Sequence, residues 1–320
     1  MIISTSSTGQ PRQDLYGAYS AFNNAERGYV ADAVLPQFSV GEYNGQYPVI
    51  GREVWATGYD VKAAIRAESS QSDMSTSTDT FSLTQYRHKM LVVEQEARFY
   101  RSWFSAEEVA ATRVRGIIEL AREIDTAAAV FNTTTFNTAN VNRITLAAGS
   151  EWDVAAGTPV ANVQAAIQAL VGNYGVLPDT LIITRYGLSK LMVTNEFRGY
   201  FTDAFGPTIQ GLPPISALQS IFGLQNIIVP FGIKNGALAG QTFSASRIWD
   251  EDYAMVCKIN SSNDFSQPCL GRTLTLDGNV ASIKSWPHPD PDGSWIRAMH
   301  ILSPKIVTTP IGCLISNTKA

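Results

Sequence analysis

The segment SAEEVAATRVRGIIELAREIDTAAAVF, residues Ser105–Phe131, decides the architecture of this chain. Ser105 and Glu108 have the three-residue spacing of a capping box, in which side chains satisfy the free amides at a helix start. Apolar residues then recur at steps of three and four, which predicts one buried stripe: Val114, Ile117, Ala121, Ile124, Ala128 and Phe131. The charged residues fall on the other faces and are predicted to be solvated: Arg113, Arg115, Glu119, Arg122 and Glu123. Such a helix would be roughly 40 Å long.

The composition describes a globular protein with an unusually small share of charge. Of the 320 residues, 45% are hydrophobic and 16% are charged, compared with roughly 25% charged residues in a typical soluble domain. We infer that partners cover part of the surface. The net charge of -4 argues against a dedicated nucleic-acid binder, because such proteins concentrate Lys and Arg to neutralise phosphates.

The chain carries no signal for a membrane or for export. It has no run of about 18 apolar residues, and its N-terminus lacks the charged and apolar regions of a signal peptide. Cys257, Cys269 and Cys313 are widely spaced and form no C-x-x-C pair, which favours reduced structural thiols over disulfides or a zinc site. The sequence therefore predicts a protein that is cytosolic when it is made.

The region before the long helix reads as an arm followed by a hairpin. Residues 1–40 hold a weak helical pattern and too few apolar residues for a core of their own. Residues 61–68 and 80–86 then alternate like strands on either side of the polar run Ser69–Thr78. A two-stranded ribbon is marginally stable in water, so we expect it to lie on another molecule.

The region after the long helix mixes helices and strands. Pro159 suits the first turn of a second helix that ends near Gly175, and the apolar run Leu181–Thr184 predicts a strand buried on both faces. Short helices are predicted at 186–193 and 214–222, with a loop at 206–214. Further strands are predicted within 270–286, 295–302 and 311–315. The chain is accordingly assigned to the α+β class, with a unit in which helices and strands alternate.

No motif for catalysis, cofactor binding or metal binding stands out. Prolines make His288–Gly293 a rigid turn rather than a metal loop, and Asp250–Asp252 has the pattern of a solvated turn. His88 is predicted to lie at a surface or interface, and His300 in a strand as a satisfied or exposed polar residue. Phosphate loops, G-x-S-x-G and H-E-x-x-H are absent from the sequence. We predict no enzyme, no cofactor and no metal.

The order of these elements, together with several short stretches of sequence, carries a resemblance to a known family. The stretches are Ala31–Pro36 followed by Val40, Gly45, Gln46 and Tyr47; Pro178–Ile183 followed by Leu188, Leu191 and Asn195–Phe197; Phe222–Leu224 followed by Ile227–Val229; and Ile248–Trp249 followed by Tyr253–Val256. In this order they resemble the major capsid proteins of tailed bacteriophages, which share the Hong Kong 97-type fold. The resemblance runs over most of residues 30–315.

The resemblance implies a division of the chain into four parts. Residues 1–40 would be the N-terminal arm, and 41–100 the extended loop, a β-hairpin. Residues 101–150 and 290–320 would form the peripheral domain around a spine helix at 105–131. Residues 151–289 would form the axial domain.

The resemblance also implies a function. The chain would assemble into hexamers and pentamers of an icosahedral phage head that encloses double-stranded DNA without reading its sequence. The partners would be a separate scaffolding protein, a portal and a possible decoration protein, and the location would be the virion after synthesis in the host cytoplasm. Two alternatives stay open: an encapsulin-like nanocompartment around a protein cargo, and a soluble α/β enzyme or binding protein whose hairpin is a dimerisation arm.

Five residues of the arm and loop region are candidates for contacts between subunits under this interpretation: Tyr47, Lys62, Arg66, Phe81 and Arg87. Some members of the family link Lys and Asn side chains of neighbouring subunits, but Lys62 and Asn317 match no family motif, so no cross-link is predicted. Gly116 lies inside the long helix at a cost of roughly 1 kcal/mol relative to Ala. This glycine marks a place where another segment approaches the helix closely, a point where the helix can bend, or a glycine that the helix simply tolerates.

Overall fold

The computed structural model describes residues 10–11, 13–20, 22–51, 58, 61–62, 68–69, 71, 76–137, 142–205, 214–238, 240–262, 264–277 and 282–320. Its helices are α1 Gln13–Ser20, α2 Asn24–Arg27, α3 Ala31–Val34, α4 Glu94–Tyr100, α5 Ala106–Val130, α6 Pro159–Tyr174, α7 Arg185–Val193, α8 Asn195–Phe205 and α9 Ile215–Phe222. Its strands are β1 Gln10–Pro11, β2 Gln37–Val40, β3 Asn44–Ile50, β4 Thr76–Ser82, β5 Thr84–Val93, β6 Arg143–Thr145, β7 Thr180–Ile183, β8 Asn226–Ile228, β9 Ile233–Asn235, β10 Ala245–Arg247, β11 Tyr253–Cys257, β12 Gly271–Leu276, β13 Ser282–Pro289, β14 Asp292–Ile306 and β15 Gly312–Ser316.

A six-stranded sheet is built around the long strand β14. Its first ten residues or so lie between β13 on one edge and β5 on the other, and its last five pair with β12. The short strand β1 extends the sheet beyond β13, and β2 pairs in parallel with β12. Both short strands come from the N-terminal arm, so the arm extends the sheet beyond β13 and beyond β12.

A five-stranded sheet lies in the order β6-β15-β11-β7-β8. One of its faces is covered by α6, α7, α8 and α9 through a large apolar core. All four residues of β7 are buried, which confirms the prediction of a strand covered on both faces. The continuous apolar run Leu181–Ile183 explains this position, because neither face of the strand meets water.

The long helix α5 connects the two sheets. Val114 and Ile118 in its first half pack on Ile296 and Ala298 of β14, and Val130 at its end belongs to the core beneath the five-stranded sheet. The predicted limits are confirmed, with Ser105 as the N-cap and its Oγ accepting from the Glu108 amide. A helix of this length is therefore explained by the two sheets that it spans.

The face of α5 that is buried differs from the prediction. Ile117 is 45% exposed and Ala128 is also exposed, whereas Glu119, Arg122 and Glu123 are buried. The prediction was wrong because the middle of the helix crosses between the two sheets, where a turn of the N-terminal arm fills the space. The arm presents polar backbone groups there, and charged side chains satisfy them.

The ribbon also differs in its pairing. The strand β4 pairs antiparallel with β3, in a register that runs from Asn44 opposite Ser82 to Ile50 opposite Thr76. The sequence analysis did not predict β3. Most of the strand predicted at 61–68 lies outside the described residues, as does most of the predicted loop at 206–214. The segment predicted as a strand at 80–86 is divided at Leu83, after which β5 enters the six-stranded sheet.

The helices α4 and α8 are absent from the sequence analysis, whereas α6, α7 and α9 lie where it predicted helices. The segment 312–316, predicted as peripheral, pairs with strands of the axial segment, and β12 and β13 of the axial segment pair with β14. The division into domains stays a prediction.

All three cysteines are free and buried, which confirms the predicted reduced thiols. A search of the described part of the chain finds no helix with the length and apolarity that a membrane crossing requires.

Candidate subunit interface

The N-terminal arm is fastened to α5 by a buried carboxylate. Glu123 Oε1 accepts hydrogen bonds from the Val30 amide at 2.9 Å and from Trp249 Nε1 at 2.6 Å, and Oε2 accepts from the Ala31 amide at 2.8 Å. These two amides stand at the start of α3, whose N-cap Val30 has no capping side chain. Glu123 therefore caps α3 from a distant helix and joins the arm, α5 and the loop before β11.

A group of ion-paired side chains around Arg122 lies next to the Glu123 carboxylate. Arg122, 1% exposed, contacts Asp32 of the arm at 2.5 Å and Glu119 at 3.5 Å. Burial opposes the ionisation of Asp32, but the Arg122 charge, with hydrogen bonds from Arg122 and Gln37, outweighs burial and lowers the pKa of this carboxyl. Burial raises the pKa of Glu119 and Glu123, against the opposing effects of Arg122 and of the amides. The arm is thus positioned by charge and hydrogen bonds.

The base of the ribbon is held by aromatic side chains. Tyr47 and Phe81, two of the predicted contact residues, are 5% and 8% exposed and pack with Leu274 and Ile301 of the six-stranded sheet. The Tyr47 hydroxyl donates to Asp79 at 2.7 Å. Gly45 lies opposite Phe81, and a Cβ there would come within 2.9 Å of the ring, so only glycine lets the ring lie across the ribbon. A contact with a neighbouring subunit stays a prediction for both aromatics.

The remaining predicted contact residues lie further out. Arg87 is exposed on β5, on the face of the six-stranded sheet opposite α5. Lys62 is exposed within the ribbon segment, and Arg66 lies outside the described residues. Among the candidates that the structure describes, Tyr47 and Phe81 lie together.

An exposed aromatic cluster joins α4 to α5, and the sequence analysis did not single it out as a site. Phe99 is 65% exposed and Trp103 69%, with Tyr100 and Phe104 partly exposed beside them. Phe99 meets Trp103 at a ring distance of 5.5 Å, and Tyr100 stacks on Phe104 at 4.9 Å. Monomers seldom leave such aromatic patches uncovered, so this cluster is a candidate contact site. The sequence pattern that could have identified this cluster is the occurrence of four large aromatic residues within six positions.

The described side chains contain no group of three or more His, Cys, Asp or Glu residues that could hold a metal ion. His288 stacks on Trp295 at the β13–β14 turn. Burial and then the nearby Arg122 and Arg115 lower the pKa of His300 to about 4, so this side chain is neutral at pH 7.

Comparison with solved structures identifies the fold. A phage-related protein from Bordetella bronchiseptica RB50 superposes with a TM-score of 0.75 at 15% identity, covering 97% of this chain and 98% of that protein. The capsid of cyanophage P-SCSP1u matches with a TM-score of 0.56 at 9% identity, over 88% and 86%. The virus-like particle from Pyrococcus furiosus matches with a TM-score of 0.55 at 12% identity, over 95% and 98%.

The chain has the Hong Kong 97-type capsid fold. No protein-family profile and no curated protein sequence matches it, so the likeness lies in the structure rather than in the sequence. The predicted fold class is confirmed.

Proposed function

We propose that this chain is a major capsid protein that assembles into hexamers and pentamers of an icosahedral phage head enclosing double-stranded DNA. The observation that carries the proposal is that the fold matches a phage-related protein over 97% of the chain and a cyanophage capsid over 88% of it. An arm and a ribbon with little core of their own gain stability when they lie on neighbouring copies. Contacts in which one patch meets a different patch on the next copy build closed rings.

The surface supports assembly. Charged residues make up 16% of the chain, and the aromatic cluster at Phe99–Phe104 leaves apolar rings in water. Acidic Glu94 and Glu96 and basic Arg98 and Arg101 flank this cluster. A patch with both signs of charge at its rim suits contact between copies of one chain, and we propose it as a subunit contact.

Electron microscopy of the expressed protein tests the function directly. We expect the expressed protein to form closed icosahedral particles. Heads purified from infected cells should contain DNA that resists nuclease. Particles that hold a protein cargo and no protected DNA would favour the encapsulin-like alternative. Sedimentation as a monomer or dimer under conditions that assemble phage coats would support the soluble enzyme or binding protein, and would contradict the shell.

The ribbon offers a specific test, because its register shows where it can be shortened. Ile50 lies opposite Thr76, so an Asn-Gly turn can replace residues 51–75 and keep the base with Tyr47 and Phe81. We expect this variant to fold with unchanged thermal stability and to form capsomers without closing shells. Normal particles from it would contradict the role proposed for the ribbon.

Single substitutions test the predicted contacts. We propose Lys62, Arg66 and Arg87 as polar contacts with neighbouring copies, and Arg87→Glu should weaken assembly without changing subunit stability. Thr84→Glu, an exposed change on the same strand, is the matched control. The N-terminal arm (1–40), extended loop (41–100), peripheral domain (101–150 and 290–320) and axial domain (151–289) are proposed as functional units of this subunit.

The partners follow from the same proposal. A scaffolding protein would guide assembly, a portal would occupy one vertex, and a decoration protein would bind some shells. The protein would reside in the virion after synthesis in the host cytoplasm. We propose no catalytic role for it.

A further inference from the structure

An open groove of about 1090 Å³ lies between α5 and the N-terminal arm. Its floor is the face of α5 from Val109 to Leu120. Its walls are formed by Phe22 and Tyr29 of the arm and by His88 and Met90 of β5. The groove therefore contains Ile117, a member of the apolar stripe that was predicted to be buried and that the subunit leaves exposed here.

The floor of the groove is apolar and well defined. Ile117 and Val109 are 45% and 39% exposed, although both are branched aliphatic residues. Phe22 lies against the α5 backbone at Gly116, where a Cβ would come within 3.0 Å of the ring. The close approach fixes the ring, and the exposed side chains offer apolar area to a ligand.

The rim of the groove is basic. Arg27, Arg113 and His88 line it, and Glu108 is the one carboxylate among the described lining side chains. Neither Arg27 nor Arg113 forms a salt bridge with a described carboxylate. The chain as a whole is acidic, with a net charge of -4, so a basic rim at this place is a local feature.

The dimensions fit a helix. Val109 and Leu120 are eleven residues apart on α5, about 17 Å, which equals roughly three turns of a second helix lying alongside. A helix that binds in such a groove places apolar residues at i, i+3, i+4 and i+7 on the floor and leaves its polar side at the rim. Acidic residues on that side would meet Arg27 and Arg113.

We propose that this groove binds an acidic amphipathic helix of another protein. A second copy of the chain fits the charge less well, because the exposed aromatic helix α4 balances Glu94 and Glu96 with Arg98 and the adjacent Arg101. The inference goes beyond the capsid function. It is tested on dissociated subunits, so a negative result would not contradict the proposed shell function.

The probe is a labelled 20-residue helical peptide with leucines on one face and glutamates on the other, and its control carries lysines in place of the glutamates. Fluorescence anisotropy with the full-length protein should show saturable binding of the glutamate peptide, at least about tenfold tighter than the lysine peptide. Equal affinity of the two peptides, or no binding of either, would overturn the proposal.

Two variants locate the binding site. Ile117→Arg places a long charged side chain on the floor and should weaken glutamate-peptide binding about tenfold or more. Ala128→Arg, exposed on the same helix outside the groove, should bind as the unchanged protein does. If Ile117→Arg fails to fold, Arg113→Glu on the exposed rim carries the same expectation. Unchanged peptide binding by these variants would refute the site. Loss of shell formation by folded Ile117→Arg in the absence of peptide would show that a second copy fills the groove.

Discussion

Replacing Glu123 by glutamine should loosen the turn of the N-terminal arm from α5. The two carboxylate oxygens accept three hydrogen bonds from Val30, Ala31 and Trp249. The glutamine side chain has the same shape but keeps only one oxygen. Its NH₂ group takes the place of the other oxygen and faces an N–H that also needs an acceptor. Whichever way it is oriented, at least one N–H is left buried without an acceptor.

The size of the effect follows from these contacts. Loss of one bond to a charged acceptor costs about 2 kcal/mol, and weakening of the other two adds about 1 kcal/mol. Burial raises the pKa of Glu123, so removing the charge recovers part of its desolvation cost. A net loss of about 2 kcal/mol corresponds to a roughly 30-fold shift between the attached and detached states.

Hydrogen exchange of dissociated subunits measures this shift where it occurs. We expect the Val30 and Ala31 amides of the variant to exchange about 30-fold faster than in the unchanged protein, because local opening controls their exchange. Glu108→Gln, exposed on the same helix, should change stability by less than about 0.5 kcal/mol. Exchange rates at Val30 and Ala31 that match the unchanged protein would refute the capping role of Glu123.

Three further predictions concern single side chains. Burial holds the pKa of His300 at about 4, compared with 6.5 for an exposed histidine. As the pH falls from 6.5 to 4, the unfolded chain therefore binds the proton first, and about 3 kcal/mol of stability is lost. Denaturation of His300→Gln should show a shallower pH dependence. Gly116→Ala should be near neutral alone but stabilise by about 1 kcal/mol in a Phe22→Ala background, where the ring no longer opposes the helix propensity of alanine; equal effects in both backgrounds would favour simple tolerance of the glycine. Tyr47→Phe should lower the free energy of unfolding by about 1 kcal/mol through loss of the Asp79 hydrogen bond, and an unchanged value would show that water replaces it.

Local patterns were sufficient to predict several elements of this chain. The capping box at Ser105, Pro159 at a helix start and the apolar run of β7 each depend on interactions within a few residues. The strand β3 was missed because Asn44, Gly45 and Pro48 have low strand propensity, and its position depends on pairing with β4. Such pairing is set by contacts distant in sequence.

The buried face of α5 could not be predicted from apolar spacing alone. A second stripe through Val114, Ile118 and Val130 has the same helical period, and in the fold it is continued by charged Glu119, Arg122 and Glu123. Placing these charges in solvent is the ordinary expectation. Glu119 pairs with Arg115 and Arg122 on the same helix, but Arg122 and Glu123 find partners more than 80 positions away in the arm and near β11, which no local pattern contains.

The two attachments of the arm to α5 differ in their physical nature, and this difference makes the Glu123 experiment selective. Leu15 and Tyr19 of α1 are buried against Val114 and Ile118 of α5, an apolar contact that the substitution does not touch. The turn at Val30–Asp32 depends on hydrogen bonds and an ion pair. Glu123→Gln should therefore accelerate exchange in the turn while the amides of α1 keep their rates. Faster exchange in both segments would mean that the arm detaches as one unit, and that the apolar contact of α1 cannot hold it alone.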